Sequence, residues 1–344
     1  MNADTSILGL IIDASIPVML VLLLLVGGGL FLLDGTVNGR LQRVGLFVGT
    51  AVIPLIPYFI FNYIASGTVW PNTLYAKQAE YQALLTQPFL GRLSQLLFFS
   101  LGGPELGWRG MSTPHLLLLP GLLISIWNGL RHDLTKRQLY YLLPLLWAGG
   151  HIILYAWRLP LTFQHGRYLL PAIPIWIVFG LSGWQFLLNL GAQIRPLWVI
   201  KQVSRLTFAG LCAIFIFLGA RAYANDVAFI NNEMVDIAHW LTQNAADDAL
   251  IATHDIGAIG YFTERPLLDL AGLVSPELIP FINNEHALAE YLQNNNATYL
   301  VTAPGWPYEN VVNKLDLTAV YSTNYSWTQK SGKNNMTIYL FSTP

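Results

Sequence analysis

Two short segments of this sequence carry side chains that could hold a negatively charged group. In the first, Lys77 supplies a compact cation for a phosphate, and the Asn72 amide supplies both a donor and an acceptor. In the second, Arg167 could fork onto two phosphate oxygens, and Gly166 would let a ligand approach the backbone. These residue types favour recognition of a phosphate.

The same two segments have a second interpretation, in which they only anchor the chain at a membrane surface. Trp70, Tyr75 and Tyr168 are residue types enriched where lipid meets water. Arg167 would then contact lipid headgroups instead of a substrate. The residues alone leave both interpretations open.

The composition divides the chain into an apolar basic part and a more polar acidic part. Only 11% of the 344 residues are charged, against about 25% in soluble domains. Through Tyr223 there are 14 Lys and Arg but 6 Asp and Glu, and beyond it there are 4 and 13. This division predicts a transmembrane domain over 1–223 and a water-exposed domain over 224–344.

The apolar part contains segments that approach the roughly 20 residues needed to cross a bilayer. Arg and Lys are denser in the loops that lie inside if the N-terminus is outside, which also places loop 66–113 and the C-terminal domain outside. The sequence therefore predicts an integral membrane protein with both termini outside. The predicted spans, about six, are Ile7–Leu33, Val44–Ala65, Pro114–Leu130, Leu139–Trp157, Tyr168–Leu190 and Leu206–Ala222.

Beyond Ala224 the pattern predicts a small outward-facing α/β domain, because helical and strand-like segments alternate. Helices are predicted at Asn231–Asn244 and Glu285–Gln293. Strands are predicted at Ala249–Thr253, Thr298–Thr302, Ala319–Ser322 and Met336–Phe341.

Several other kinds of site are disfavoured by spacing or charge. Gly257 and Gly260 lack the third glycine of a dinucleotide-binding loop and favour a tight turn instead. His254, Asp255 and Asp269 provide too few clear ligands for a metal site, and they are expected to be turn caps and surface residues. The acidic C-terminal part also disfavours nucleic-acid binding.

The segment Trp70-Pro71-Asn72-Thr73-Leu74-Tyr75-Ala76-Lys77 resembles a signature of GT-C type membrane glycosyltransferases, including bacterial arabinofuranosyl- and mannosyltransferase relatives. The segment that begins Arg167-Tyr168-Leu169-Leu170-Pro171 is similar to a second element of that family, at the start of a late span. Asp255–Phe262 and Asp269–Leu273 resemble its outward C-terminal domain.

The resemblance implies transfer of a sugar from a polyprenyl-phosphate carrier to a glycan, lipid or protein acceptor, in a bacterial plasma membrane. It implies that Lys77 and Arg167 bind the donor phosphate, and that Asn72, Tyr75, His165 and Tyr168 orient the substrate. Such chemistry requires a carboxylate base, together with cations or a divalent metal to stabilise the leaving phosphate. The alternative is a non-catalytic membrane protein that binds a lipid-linked sugar or serves a partner subunit.

The sequence departs from this family where the catalytic aspartate is expected. In the family this residue lies in the first outer loop, whereas the first connection here, Asp34–Arg43, is predicted to face inward. The chain is therefore similar to the C-terminal half of such an enzyme, with a separate N-terminal half as a partner. Of the acidic residues before Tyr223, those expected on the outer side are Asp4, Asp13, Glu80 and Glu105. None matches the family's position, so the catalytic residue stays unknown.

Overall fold

The computed structural model describes residues 36–104, 111–136, 139–190 and 195–341. The first predicted span, Ile7–Leu33, and the acidic residues Asp4, Asp13 and Glu105 lie outside them. The chain divides into two compact units, Met1–Val69 with Ala83–Ile216, and Trp70–Gln82 with Phe217–Pro344. The segment around Lys77 thus packs with C-terminal residues, although it comes early in the sequence.

Helices make up most of the structure before the C-terminal sheet. These α-helices are α1 (Val37–Val52), α2 (Ile56–Ser66), α3 (Asn72–Glu80), α4 (Phe89–Ser100), α5 (Leu119–Lys136), α6 (Leu143–Arg158), α7 (Phe163–Gly166), α8 (Ile173–Leu190), α9 (Arg195–Phe229) and α10 (Asp236–Asn244). The later α-helices are α11 (Ile256–Thr263), α12 (Glu285–Asn294), α13 (Glu309–Lys314) and α14 (Ser326–Lys330). The strands are β1 (Ile251–Thr253), β2 (Leu267–Asp269), β3 (Tyr299–Thr302), β4 (Thr318–Ser322) and β5 (Thr337–Leu340).

Two helical stretches of the described residues are long and apolar enough to cross a membrane, on length and composition alone. They are Val37–Ser66 and Trp198–Asn244. The prediction of about six spans is not supported, because the other predicted spans within the described residues form shorter or more polar helices. Helix α6 has 16 residues and begins with Pro144 in its first turn, and α5 carries Arg131 and Asp133.

The core of the first unit forms where α4, α5, α6 and α8 pack together. Leu96, Leu122, Ile152 and Trp176 are among the side chains buried there. The Ser125 hydroxyl donates to the Phe179 carbonyl at 2.7 Å, which ties α5 to α8. This unit holds the Arg167 segment, in the turn between α7 and α8.

The C-terminal sheet is mixed, with strand order β2-β1-β3-β5-β4. Strands β2, β1 and β3 are parallel, and β5 runs antiparallel to both β3 and β4. Apolar side chains cover both faces: Ala252 and Leu300 pack with α12, whereas Ile251 and Val301 pack with α10 and α11. An α/β domain is therefore present, as the alternating sequence pattern predicts.

Strand β2 was not predicted from the sequence, and its three residues are too few to show an alternating pattern. The tight turn expected at Gly257–Gly260 is also wrong, because both glycines lie within helix α11. The predicted helix 231–244 is present, but its first turns form a π-helix at Ile230–Val235. Met234, Ile237 and Leu241 lie at helical spacing and are buried.

Candidate functional site

In the second unit, the carboxyl ends of β1 and β3 lie at a position where α/β sheets commonly bind ligands. Strand β1 lies between β2 and β3, and the chain leaves β1 toward β2 but returns on the other side to form β3. The connections therefore diverge beyond β1 and β3, which leaves a crevice outside the ends of these strands. His254 follows β1 directly, and Trp306 lies in the loop after β3.

Four charged side chains that contact one another in series lie at this crevice. They are Lys77, Glu80, His254 and Asp255, and we call them the charge cluster. The ammonium of Lys77 donates to Glu80 Oε2 at 2.6 Å. Glu80 Oε1 lies 3.6 Å from His254 Nε2, and Asp255 Oδ1 lies 3.6 Å from His254 Nδ1. These two contacts exceed hydrogen-bond distance, so His254 is held mainly by charge. With His254 protonated, two cations alternate with two carboxylates.

The charge cluster shifts the protonation of its two central members in opposite directions. Burial alone would lower the pKa of His254, but the contacts and negative charges of Asp255 and Glu80 outweigh it and raise that pKa to about 9. Burial would likewise raise the pKa of Glu80, but His254 and Lys77 outweigh it and lower that pKa to about 2. At neutral pH His254 is therefore cationic and Glu80 is ionised.

Aromatic side chains line the side of the crevice that follows β3. The rings of Trp306 and Tyr308 each lie 6.3 Å from the His254 ring, centroid to centroid. Tyr308 is buried and donates its hydroxyl to the Leu270 carbonyl at 3.3 Å. Burial, together with the nearby carboxylates, raises the pKa of Tyr308 well above its ordinary value. Tyr308 therefore stays neutral beside His254.

Helix α3 brings Lys77 and Glu80 to this crevice. Pro71 has an extended backbone and precedes the helix, so α3 begins at Asn72. Ala76 is fully buried, and the Asn283 amide donates to the Ala79 carbonyl at 2.7 Å. Lys77 and Glu80 are three residues apart on α3, and this spacing places their side chains side by side.

Asp269 has a structural task that explains its burial without any metal. Its carboxylate accepts hydrogen bonds from the backbone N–H groups of Ala271, Leu273 and Val274, at 2.9, 2.6 and 2.9 Å. The expectation of a turn cap is thus confirmed for Asp269. The expectation of a turn cap or surface residue is wrong for His254, whose side chain is only 22% exposed. Among the residues that the structure describes, no group of three or more His, Cys, Asp or Glu could hold a metal ion.

The predicted site residues near Arg167 belong to the first unit. Arg167 is exposed and donates to the Tyr168 hydroxyl at 3.0 Å, with its guanidinium 4.9 Å from the Tyr168 ring centroid. His165 is exposed in the short helix α7, where its backbone has a φ of 57°. Such an Arg–Tyr pair could anchor the chain at a membrane surface, and it could equally bind a phosphate. The space beside Gly166, expected to admit a ligand, is occupied by the Phe99 ring.

The structure therefore groups the predicted site residues by unit. Asn72, Tyr75 and Lys77 lie on α3 in the second unit, and His165, Arg167 and Tyr168 lie in the first. The joint binding of one phosphate by Lys77 and Arg167 stays a prediction. The sequence gives no sign that Glu80 and His254 meet, although it marks Glu80 as an outer acidic residue and His254 as a disfavoured metal ligand.

Comparison with known protein families gives a match to the C-terminal part of the chain. A family described as a domain of unknown function, DUF8728, matches residues 222–339. That range includes strands β1 to β4, all of β5 except Leu340, and the His254-Asp255 pair. No curated protein matches the chain significantly.

Proposed function

We propose that the chain is a membrane glycosyltransferase of the GT-C type, or the C-terminal portion of one. It takes a sugar from a polyprenyl-phosphate carrier and transfers it to a glycan, lipid or protein acceptor. The reaction takes place at the outer face of a bacterial plasma membrane, where both chain termini and the C-terminal sheet also lie. The two helical stretches that meet the membrane criterion support an anchored protein.

The observation that best supports this proposal is the contact between Glu80 and His254, which brings together two segments that resemble the family. Lys77 ends the first segment, and it pairs with Glu80 at 2.6 Å. Glu80 in turn contacts His254, which directly precedes the segment Asp255–Phe262. Segments far apart in the sequence thus meet at the carboxyl ends of parallel strands, where a ligand site is expected.

In the proposed transfer, an acceptor hydroxyl oxygen forms a bond to the anomeric carbon of the sugar. The bond from that carbon to the phosphate oxygen breaks, and the phosphate leaves with the electron pair. The hydroxyl proton passes to a base. Lys77 binds the phosphate, and protonated His254 adds positive charge near Lys77. The family resemblance also assigns a phosphate-binding role to Arg167. Cations placed where negative charge develops lower the barrier to such a reaction.

The low pKa of Glu80 favours a second candidate function. A carboxylate with a pKa of about 2 is a weak base, and Glu80 is already engaged by Lys77 and His254. This agrees with a non-catalytic chain that binds a lipid-linked sugar while a separate N-terminal half supplies the base.

Binding and transfer assays on the full chain distinguish the two candidates. The chain is reconstituted in liposomes and given polyprenyl phosphate, to measure binding, and polyprenyl-phosphate-linked arabinose or mannose, to measure transfer. Lys77→Ala and Arg167→Ala are each expected to weaken binding or transfer about tenfold or more. Lys314→Ala is the matched control, because Lys314 pairs with Glu290 on the surface of the second unit.

Each outcome of these assays has a definite meaning. Transfer by the wild-type chain supports the enzyme, and binding without transfer supports the non-catalytic alternative. If Lys77→Ala and Arg167→Ala both behave as the wild type does, neither residue belongs to the site. If the wild-type chain neither binds nor transfers, the proposed function is wrong.

Limited proteolysis of intact cells tests the proposed orientation. A protease added from outside should cleave the chain beyond Tyr223, because that part is placed on the outer face. Protection in sealed cells, followed by cleavage after lysis, would reverse the orientation and remove the outer-leaflet site.

A further inference from the structure

A polar cleft in the second unit lies away from the charge cluster. It has a volume of about 440 Å³ and is bordered by the π-helix Ile230–Val235, the start of α10 and the end of β4. This volume lies within the range of small-molecule sites, about 300–1,000 Å³. π-Helical turns are rare and occur frequently at functional sites.

The side chains that line this polar cleft are mostly neutral hydrogen-bonding groups. Asn231, Asn232 and Asn324 provide amides, Tyr321 and Tyr325 provide hydroxyls, and Asp236 provides a carboxylate. The Asn232 amide donates to the Ala228 carbonyl at 2.7 Å. Asn231 and Asn324 are exposed, and neither side chain has a hydrogen bond within the described part of the chain. Their donors and acceptors are therefore available to a ligand.

Two aromatic contacts fix one wall of the polar cleft. Tyr321 donates its hydroxyl to Asp236 Oδ2 at 2.7 Å and stacks on Trp240, with ring centroids 5.4 Å apart. Tyr325 lies beside Trp327, with centroids 6.3 Å apart. Aromatic rings held in this way offer a rigid surface that combines an apolar face with a polar edge.

We propose that this polar cleft binds a neutral saccharide. A sugar hydroxyl both donates and accepts, and it can therefore pair with both ends of a side-chain amide. An anionic ligand would be repelled by Asp236, and none of the described residues lining the cleft is a Lys, Arg or His. An apolar ligand would cover the Asn231 and Asn324 amides without offering them a hydrogen bond, which is costly.

A peptide added along β4 is the main competing occupant, because β4 lies at the edge of the sheet. Strand addition gains specificity from pockets for alternate side chains. The cleft instead offers amides and hydroxyls around the end of β4. These groups suit a sugar ring with its hydroxyl groups better than they suit an extended peptide. The saccharide proposal does not depend on glycosyl transfer, since none of its residues belongs to the charge cluster.

The test is saccharide binding by the full chain in a detergent without a sugar headgroup. Bacterial expression keeps Asn324 unmodified, because Asn324-Tyr325-Ser326 is a glycosylation sequon. The protein is applied to an array of neutral and anionic mono- to tetrasaccharides together with a set of peptides. Titration calorimetry then gives the affinity for each saccharide that binds.

At least one neutral saccharide is expected to bind. Asn231→Ala and Asn324→Ala are each expected to weaken that binding about fivefold or more. Asn313→Ala is the matched control, because Asn313 is an exposed asparagine on α13, outside the cleft. Circular dichroism verifies that each variant is folded.

Four results would overturn the saccharide proposal. They are the absence of binding to every neutral saccharide, binding of peptides alone, unchanged affinity in both Asn231→Ala and Asn324→Ala, and an equal loss in Asn313→Ala. Loss of polyprenyl-phosphate binding in Lys77→Ala, by contrast, would bear only on the charge cluster. The two proposals can therefore fail independently.

Discussion

The Glu80 carboxylate lies 3.6 Å from the imidazole of His254, although α3 and β1 are far apart in the sequence. Both side chains are largely buried, and each stabilises the charged form of the other. A pair of this kind links the fold to pH, because its stabilising effect requires both charges.

We expect the chain to lose stability as pH rises from about 6.5 to 9. The pKa of His254 is raised from 6.5 to about 9, so its contribution is complete below 6.5 and is lost as pH rises through 9. The pKa of Glu80 is lowered from 4.5 to about 2, so its contribution is present above 4.5 and is lost toward pH 2. Thermal unfolding followed by circular dichroism should show a loss on the order of 1–3 kcal/mol between pH 6.5 and 9.

His254→Gln should flatten this alkaline decline, since the glutamine does not titrate. His286→Gln is the control, because His286 lies exposed beside Glu290 on α12. An alkaline decline of equal steepness in the wild type and His254→Gln would show that the charge cluster does not couple the fold to pH.

Replacing Gly272 by alanine should destabilise the second unit through both backbone strain and a steric clash. Gly272 has a φ of +72°, and an added Cβ would lie 2.7 Å from Ile279 Cγ1 and 3.6 Å from Ala76 Cβ. Gly332 has a similar φ of +77° but no neighbour within 4 Å of an added Cβ. Gly272→Ala should therefore cost about 1–3 kcal/mol more than Gly332→Ala in chemical denaturation.

The comparison of the two glycines isolates the clash, because both variants pay a similar backbone cost. Equal free energies of unfolding would mean that Ile279 moves aside at little cost. The close packing of Ile279 against the turn after β2 would then contribute little to stability.

Removal of the Glu233 carboxylate should strongly destabilise the second unit. Glu233 is fully buried, and its oxygens accept from the hydroxyls of Thr323 and Thr328, the Asn335 amide and the Met336 backbone N–H. Glu233→Ala leaves these buried donors unpaired, at a cost on the order of 3–5 kcal/mol in denaturant unfolding.

Glu233→Gln keeps the shape and part of the hydrogen bonding, so its loss should be smaller than that of Glu233→Ala. The exposed Glu309→Ala should change stability by less than about 0.5 kcal/mol. A Glu233→Ala chain as stable as the Glu309→Ala chain would contradict the assignment of Glu233 as a structural acceptor.

The sequence predicts the α/β class of the C-terminal domain because its periodic segments are long enough to show their pattern. The helix 231–244 repeats buried residues at helical spacing, and strand β3 is a continuous apolar run bounded by polar residues. Strand β2 has only three residues, and its position at the sheet edge is decided by pairing with β1, which no local pattern reveals.

The candidate site is harder to predict than the fold because its contacts join distant parts of the chain. The Lys77–Glu80 pair follows from helical spacing once α3 is recognised. The approach of Glu80 to His254 depends on how α3 packs near Gly272 and Asn283, which is tertiary information. Among the described residues, fewer helices meet the membrane criterion than predicted, because hydropathy does not reveal where prolines such as Pro144 begin a new helix.

The last strand, β5, inserts between β3 and β4, although it follows both along the chain. During synthesis, therefore, β4 has no partner to join until the ribosome has passed Leu340. Its unpaired edge is exposed throughout that interval, and exposed strand edges invite association with other chains. We expect nascent chains that are arrested before β5 to depend on a chaperone more strongly than the released protein does.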